Sequence, residues 1–267
     1  MTDGLLQQLA RGPLAPYLQP VRHVEAIVIG ESPAQVYRLS DEQGPISFLK
    51  VGPRETLTTL AADVARLRWL VNRLPAPQVL AYHEDEQTCY LLTSVVPGTD
   101  TATLAERADT DIAQVVRLLA QGLRQVHGVP IHDCPFDQRL ASEIEYVSER
   151  VAHGLVDEHK IGGPWSGRAV PDLFAELLAT QPVQEDLVFT HGDYCLPNIL
   201  LVGNQVSGFV DLGRAGVGDR YRDLALAQRS LIRNCGAAWL PFFFAEYGLP
   251  QPDEAKLTFY QLLDEFY

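Results

Sequence analysis

The chain has 267 residues, of which 46% are hydrophobic and 21% charged, and it carries a formal net charge of −13. This acidic excess argues against nucleic acid or an anionic membrane surface as the main partner. No stretch reaches the ~20 apolar residues that a membrane span needs, and the first twenty residues lack the basic and apolar regions of a secretory signal. The four cysteines form no CxxC pair, which favours a cytoplasmic protein without a zinc site.

Strand-like segments dominate the first hundred residues. A single helix is predicted from about residue 57 to 73, because Leu60, Val64, Leu67 and Val71 recur on one helical face. Turn-rich segments separate the strands around it. The predicted strands cover residues 23–30, 35–40, 45–51, 79–82 and 89–96.

After residue 97 the apolar spacing becomes helical, and a β-hairpin at 199–210 interrupts the helices. We therefore predict two lobes, a sheet-rich lobe of residues 1–97 and a helical lobe of residues 98–267. The fold class is α+β, with a small antiparallel sheet carrying one helix beside a larger, mainly helical lobe. A cleft between two such lobes is a common place for a ligand.

Three oxygen-bearing side chains flank the predicted hairpin. Asn198 stands at the start of its first strand and Asp211 at the end of its second, while Asp193 lies in the loop that leads in. The pattern HxDxxxxN followed by DxG matches the protein-kinase signature for a proton-accepting Asp and two Mg²⁺ ligands. The alternative is that these residues are only turn and capping residues of a hairpin.

Lys50 ends the run ISFLK on the third predicted strand, where protein kinases carry a lysine that reaches the nucleotide phosphates. Asp63 lies on the predicted helix in line with Leu67 and Leu70, so it faces the packed side, where carboxylates are seldom left unpaired. A Lys50–Asp63 ion pair accounts for both positions. Otherwise Lys50 is a surface lysine and Asp63 stands at the edge of the apolar stripe.

The turn GESPA, residues 30–34, lies between the first two strands. A kinase places its glycine-rich phosphate cover there, and Ser32 offers a hydroxyl and a backbone N–H to a phosphate. Only one glycine is present, and an ordinary hairpin turn fits the same residues.

With these residues in hand, the chain resembles the aminoglycoside 3′-phosphotransferases, the kanamycin kinases with a protein-kinase-like fold. The resemblance runs almost from end to end. It is densest in EDLVFTHGDYCLPNILL, VSGFVDLGRAGVGDRYRDLALAQRS and FYQLLDEFY.

The resemblance implies a role for each matching position. Asp193 would be the catalytic base, and Asn198 and Asp211 would hold Mg²⁺. Lys50 would contact the phosphates of ATP, with GTP as an alternative nucleotide. The residues implied for nucleotide binding are Ser32 in the loop, Phe48 stacking on the base, Lys50, Asp63, and the backbones of Ser94 and Val96.

The resemblance also implies that carboxylates bind a polycationic aminoglycoside. The residues implied on the substrate side are Asp157, Glu158, Arg214, Arg229, Asp264, Glu265 and Tyr267. The family usually ends in Phe where this chain has Tyr267. The segment after Glu158 is poor in acids, and Arg233-Asn234 stands where relatives carry an acidic pair, which narrows the expected substrate range.

The sequence therefore predicts a monomeric cytoplasmic kinase that transfers the γ-phosphoryl group of ATP to the 3′-hydroxyl of an aminoglycoside and so confers antibiotic resistance. Three alternative functions fit parts of this sequence. The first is a kinase of the same fold for another small-molecule hydroxyl; Arg233 favours it, whereas the closing LLDEFY opposes it. The others are a nucleotide-binding module without catalysis and a metal-dependent hydrolase.

Overall fold

The computed structural model describes residues 13–27, 34–54 and 59–267. The chain divides into two compact units. The first contains the residues up to Pro97 together with Gly208–Gly213, and the second contains Gly98–Ser207 and Arg214–Tyr267. The first unit thus includes a short segment that lies far beyond residue 97 in sequence.

The first unit is built on a five-stranded antiparallel sheet with the order β1-β2-β3-β5-β4. Strand β3 lies in the middle of the sheet, and neighbouring β5 is almost wholly buried. The strands are β1 (His23–Ile27), β2 (Gln35–Ser40), β3 (Pro45–Pro53), β4 (Val79–Glu84) and β5 (Thr88–Ser94), and the helices are α1 (Ala15–Leu18) and α2 (Leu60–Leu70).

The alternation of side chains along β3 decides which residues reach the functional face. Ser47 and Leu49 are buried, and Leu49 belongs to a core cluster with Leu39 and Leu92. Since successive side chains in a strand point to opposite faces, Phe48 and Lys50 share the other, half-buried face.

Helix α2 begins at an N-cap, where the Thr59 hydroxyl accepts a hydrogen bond from the Ala62 backbone N–H at 3.4 Å. Its buried residues include Leu60, Val64 and Leu67, as the sequence pattern predicted. The helix ends at Leu70, so Val71 lies beyond it and is 50% exposed, contrary to its predicted place on the apolar face.

The second unit is mainly helical and contains two small sheets, β7 paired with β10 and the order β6-β8-β9. Strand β9 continues into residues of the first unit at Gly208. The strands are β6 (Thr99–Asp100), β7 (Leu187–Thr190), β8 (Ile199–Val202), β9 (Gln205–Phe209) and β10 (Gly216–Asp219). The helices are α3 (Thr101–Ala105), α4 (Ile112–His127), α5 (Leu140–Ala152), α6 (Val170–Ala179), α7 (Arg220–Cys235), α8 (Leu240–Tyr247) and α9 (Glu254–Asp264).

The predicted hairpin is present as β8 and β9, joined at Gly203 with a φ of 56°. This left-handed conformation favours glycine at the turn. The long helices after residue 97 agree with the helical spacing of the sequence, and Leu173 and Leu177 form the buried face of α6. The observed α+β composition agrees with the predicted fold class.

In the described parts of the chain, we find no helix that combines the length and the apolarity required to cross a lipid bilayer.

Replacement of Leu92 by Ala tests the core of the first unit. Leu92 is fully buried, so the cavity left by the substitution should lower the free energy of unfolding by about 2–5 kcal/mol. Urea denaturation followed by circular dichroism measures this loss. Val183→Ala is the matched control, because Val183 is 99% exposed and should leave the midpoint unchanged. Equal midpoints for the two variants would contradict the observed core.

Candidate active site

Lys50 on β3 lies between two carboxylates of the first unit. Its Nζ is 3.1 Å from Asp211 Oδ1 and 3.6 Å from Asp63 Oδ2. The ion pair expected from the sequence is therefore present, and Asp211 adds a second, shorter contact. We refer to Lys50, Asp63 and Asp211 as the lysine group.

Charge within the lysine group is set by burial and by pairing. Burial disfavours the charged form of Lys50, but Asp211 and Asp63 more than offset it, so the pKa of Lys50 is raised. Burial raises the pKa of Asp63, and Lys50 opposes that shift. Lys50 is consequently a fixed positive charge at neutral pH, as a phosphate ligand requires.

Asp211 follows β9 in a left-handed conformation with a φ of 59°, which is uncommon for a residue other than Gly or Asn. Its side chain is 57% exposed although one oxygen contacts Lys50. Gly213, two residues on, approaches Asp63 so closely that a Cβ there would lie 2.6 Å from Asp63 Oδ1. The DLG sequence thus combines an exposed carboxylate with a glycine that makes room for Asp63.

Phe48 and Ser94, two of the other residues predicted to bind the nucleotide, lie on the same sheet. Phe48 shares the half-buried face of β3 with Lys50. Ser94 ends β5, and its backbone N–H donates to the Gln78 carbonyl at 2.9 Å; Val96 is buried two residues beyond. Ser32 falls outside the described residues.

In the second unit, the loop after β7 presents Asp193. Asn198 orients this carboxylate, because its Nδ2 donates to Asp193 Oδ2 and to the Asp193 carbonyl, each at 2.9 Å. The Cys195 thiol lies 3.4 Å from Asp193 Oδ1. With the amide nitrogen directed at Asp193, the oxygen of Asn198 faces away from that carboxylate.

Asp223 on α7 holds residues 191–195, which we call the Asp193 loop, by accepting hydrogen bonds from the backbone of that loop. Its fully buried carboxylate accepts the N–H of His191 at 2.7 Å and that of Gly192 at 2.8 Å. His127 Nε2 lies 3.1 Å from the same carboxylate, and Tyr247 Oη lies 2.7 Å from His127 Nδ1. Without Asp223, two buried N–H groups would lose their acceptor.

Gly192 is required for a close approach of two loops. Its φ is 83°, and a Cβ at this position would lie 2.1 Å from the Arg214 carbonyl oxygen. The residue between His191 and Asp193 must therefore lack a side chain. This contact brings Arg214 beside the Asp193 loop, where Arg214 Nη2 is 3.6 Å from Asp193 Oδ1.

Two arginines neutralise the acids near the end of the sequence. Arg214 Nη1 is 3.0 Å from Asp264 Oδ1, and Arg229 contacts both Asp264 and Glu265, the latter at 3.0 Å. Burial raises the pKa of Asp264, but Arg214 and Arg229 more than offset this and lower it. Glu265 Oε2 also accepts the backbone N–H of Gly162 at 2.7 Å. Both carboxylates are therefore paired inside the protein.

The loop after α5 presents Asp157 and Glu158 as exposed residues. The backbone N–H of His159 donates to Asp157 Oδ1 at 3.0 Å, so this loop forms its own turn. Because Gly162 donates to Glu265, the loop is joined to the closing segment of the chain. The structure thus places these predicted substrate residues in one unit, on connected segments.

Tyr267 differs from the Phe that the resemblance implies by a hydroxyl group that makes a contact of its own. Its hydroxyl contacts Glu143, whose Oε1 is 2.6 Å from Arg222 Nη1, and the side chains of both of these partners are only 4% exposed. The guanidinium of Arg214 lies 4.5 Å from the centroid of the Tyr267 ring. The hydroxyl therefore has a defined partner in this chain.

A family model described as the phosphotransferase enzyme family matches residues 23–260. The chain belongs to this family. This phosphotransferase is 40% identical over 241 residues to an aminoglycoside 3′-phosphotransferase of Niallia circulans, and the match covers 90% of each chain. The resemblance seen in the sequence is therefore confirmed.

Solved structures agree with this family membership. A crystal structure of a type VIII aminoglycoside 3′-phosphotransferase superimposes with a TM-score of 0.82 at 34% identity, covering 100% of this phosphotransferase and 99% of that chain. Aminoglycoside phosphotransferase APH(3'')-Id of Streptomyces rimosus, in complex with ADP and streptomycin, gives a TM-score of 0.80 at 27% identity, covering 99% and 97%.

Sequence reasoning assigned no role to several buried polar residues of this phosphotransferase. Asp223 and Arg222 lie in the segment RYRDLALAQRS, and Glu143 lies on α5. The sequence does indicate that these acids are buried, because each lies on the apolar face of its helix. Asp223 shares a helical face with Ala227 and Leu231. Glu143 shares one with Leu140 and Val147. The reasoning that found Asp63 applies equally to these acids.

The pH dependence of stability tests the role of Asp223. Burial raises the pKa of Asp223, but hydrogen bonds and charges, chiefly from His127, lower it below its usual value. Asp223 therefore contributes stability that is present above the unfolded pKa of about 3.9 and is lost as the pH falls through the lowered folded pKa. Asp223→Asn should cost about 1–3 kcal/mol at pH 7, and the difference from the wild type should shrink below about pH 4.

Urea midpoints measured between pH 7 and pH 3 provide this comparison. Asp109→Asn is the control, because Asp109 is an exposed Asp and its variant should follow the wild-type curve. A loss in Asp223→Asn that stays constant from pH 7 to pH 3 would contradict the assigned role.

Proposed function

We propose that this phosphotransferase transfers the γ-phosphoryl group of ATP to the 3′-hydroxyl of an aminoglycoside and thereby inactivates the antibiotic. The observation that carries this proposal is the Asp193 carboxylate, which Asn198 orients at 2.9 Å and Arg214 approaches at 3.6 Å. The aminoglycoside 3′-phosphotransferase relatives supply the acceptor class. Cytoplasmic location, a monomeric state and the ability to use GTP stay predictions.

The first unit would bind the nucleotide. Lys50 carries a fixed positive charge on the sheet face that it shares with Phe48, so the phosphates and the base would lie along one surface. The end of β5 at Ser94 and Val96 would offer backbone groups to the edge of the base. Asp63 would hold Lys50 in place at 3.6 Å.

The donors at Asn198 and Asp211 fit Mg²⁺. Both contribute oxygen, and Mg²⁺ is usually held by one or two carboxylates together with phosphate oxygens and water. The described residues contain no cluster of three or more His, Cys, Asp or Glu able to hold a metal, and such a cluster is not needed for this mode. When bound, Mg²⁺ neutralises charge on the phosphates.

The chemical step depends on alignment. The oxygen of the acceptor hydroxyl bonds to the γ-phosphorus while Asp193 accepts the hydroxyl proton. The bond between the γ-phosphorus and the oxygen that bridges it to the β-phosphate breaks, and ADP leaves. Lys50 stabilises the charge that develops on the leaving phosphate. The protein forms no covalent bond to the phosphoryl group in this step, so the rate depends on how the reacting groups are positioned. A small displacement of Asp193 should therefore slow the reaction strongly.

Substrate recognition would use the acids of the second unit. Asp157 and Glu158 are exposed and would meet ammonium groups directly. Asp264 and Glu265 already pair with Arg214 and Arg229, so their contribution to binding a polycation is reduced. This pairing favours the alternative acceptor, a less cationic small molecule with a hydroxyl group, and the acceptor panel below separates the two.

Asp193→Asn tests the catalytic base. The variant keeps the shape but lacks a proton acceptor, so kcat should fall by about 10²–10⁴-fold while the affinity for Mg·ATP stays unchanged. A coupled assay of ADP release with kanamycin, neomycin, paromomycin and lividomycin measures turnover, and calorimetry measures nucleotide binding. Asp172→Asn, on the exposed face of α6, is the matched control.

Two outcomes of this assay would contradict the proposal. Turnover that persists in Asp193→Asn would reject Asp193 as the base. Absence of turnover by the wild type on every antibiotic, with Mg·ATP still bound, would reject the aminoglycoside as acceptor and redirect the search to less cationic hydroxyl compounds.

Asp63→Asn tests the lysine group. Loss of one charge partner should weaken Mg·ATP binding by about threefold to tenfold, because Lys50 keeps only Asp211. Asp63→Glu preserves the charge and should bind Mg·ATP nearly as well as the wild type. Calorimetric titration with Mg·ATP measures both variants; equal affinities for Asp63→Asn and the wild type would show that Asp63 does not support Lys50.

A further inference from the structure

The ring of Tyr267 has guanidinium groups as neighbours. Arg214 lies 4.5 Å and Arg222 5.4 Å from the ring centroid, distances at which a cation is attracted to an aromatic face. Tyr146 stacks on the same residue, with ring centroids 5.3 Å apart. Tyr267 is therefore surrounded by groups that fix the plane of its ring.

The polar groups of Tyr267 anchor this ring. Its hydroxyl contacts Glu143, which is itself held by Arg222 in a buried ion pair of 2.6 Å. Arg150 donates to the carbonyls of Phe266 and Tyr267, each at 2.7 Å. Side chain and backbone are thus held by independent partners, so the ring has little freedom to move.

Arg214 connects the anchored ring to the Asp193 loop. Its Nη1 is 3.0 Å from Asp264 and its Nη2 is 3.6 Å from Asp193. An arginine side chain has several rotatable bonds, and its attraction to a rigid aromatic face offsets part of the entropic cost of ordering it. Burial opposes its charge, but Asp264 and Asp193 more than offset this, so the pKa of Arg214 is raised.

We propose that the ring of Tyr267 is a positioning element for Arg214 and, through Arg214, for the Asp193 carboxylate. This inference rests on the proposed function, because it assigns Asp193 to the chemical step. The hydroxyl of Tyr267 has a separate task, which is to hold the ring against Glu143. Ring and hydroxyl should therefore have separable effects.

Substitutions at Tyr267 separate the two effects. Tyr267→Leu removes the face beneath Arg214 and should lower kcat about tenfold, with little change in the KM for ATP. Tyr267→Phe keeps the face and should restore kcat to within about threefold of the wild type. Phe174→Leu is the matched control. Phe174 contacts Phe266, the neighbour of Tyr267, with ring centroids 6.0 Å apart, so this substitution should loosen the same segment without removing the ring of Tyr267.

A double-mutant cycle tests whether Tyr267 acts through Arg214. In an Arg214→Ala background, Tyr267→Leu should cause no further loss of kcat, because the group that the ring positions is gone. An equal loss in both backgrounds would overturn the inference. So would a Phe174→Leu variant that slows the reaction as much as Tyr267→Leu does.

A measurement independent of turnover separates this inference from the proposed function. The proton resonances of the Arg214 side chain should be shifted upfield by the ring in the wild type and in Tyr267→Phe, and should lose that shift in Tyr267→Leu. Wild-type enzyme that transfers phosphate to no antibiotic would defeat the proposed acceptor, and the cycle would then be run on ATP hydrolysis. Arg214 resonances that do not change in Tyr267→Leu would overturn the inference itself.

Discussion

The conformation of the Asp193 loop depends on hydrogen bonds to the buried carboxylate of Asp223. A sharp loop between a strand and a short helical turn leaves backbone N–H groups inside the protein, and those of His191 and Gly192 donate to Asp223. One ionised side chain satisfies both. Because His127 and Tyr247 continue this network, the position of Asp193 depends on residues in α4, α7 and α8.

Buried and half-buried arginines of the second unit are paired with carboxylates. Arg214, Arg222 and Arg229 each contact carboxylates, and the ring of Tyr267 contacts two of these arginines. Breaking one member of such a network leaves a buried charge uncompensated, which costs more than the pair itself stabilises. Asp264 and Glu265, two of the acids expected to meet a cationic substrate, are therefore also part of the protein's own structure.

The features of the fold that could be predicted from the sequence are those that depend on local periodicity. The five strands of the first unit, the hairpin and the long helices follow from alternation and helical spacing, and the pairing of Lys50 with Asp63 followed from an acid on an apolar face. Contacts between distant segments were beyond such reasoning. Nothing local in the sequence indicates that the carbonyl of Arg214 presses on Gly192, or that Tyr267 reaches Glu143 across 124 positions.

The two carboxylates around Lys50 have a consequence for the order in which ligands arrive. Within the lysine group, one lysine charge stands against the two carboxylates of Asp63 and Asp211, and the side chain of Asp211 is 57% exposed. A bare nucleotide would meet electrostatic repulsion there, whereas a nucleotide already complexed to a divalent cation would bring the compensating charge with it. The proposed phosphate site would therefore favour the metal–nucleotide complex over the bare nucleotide.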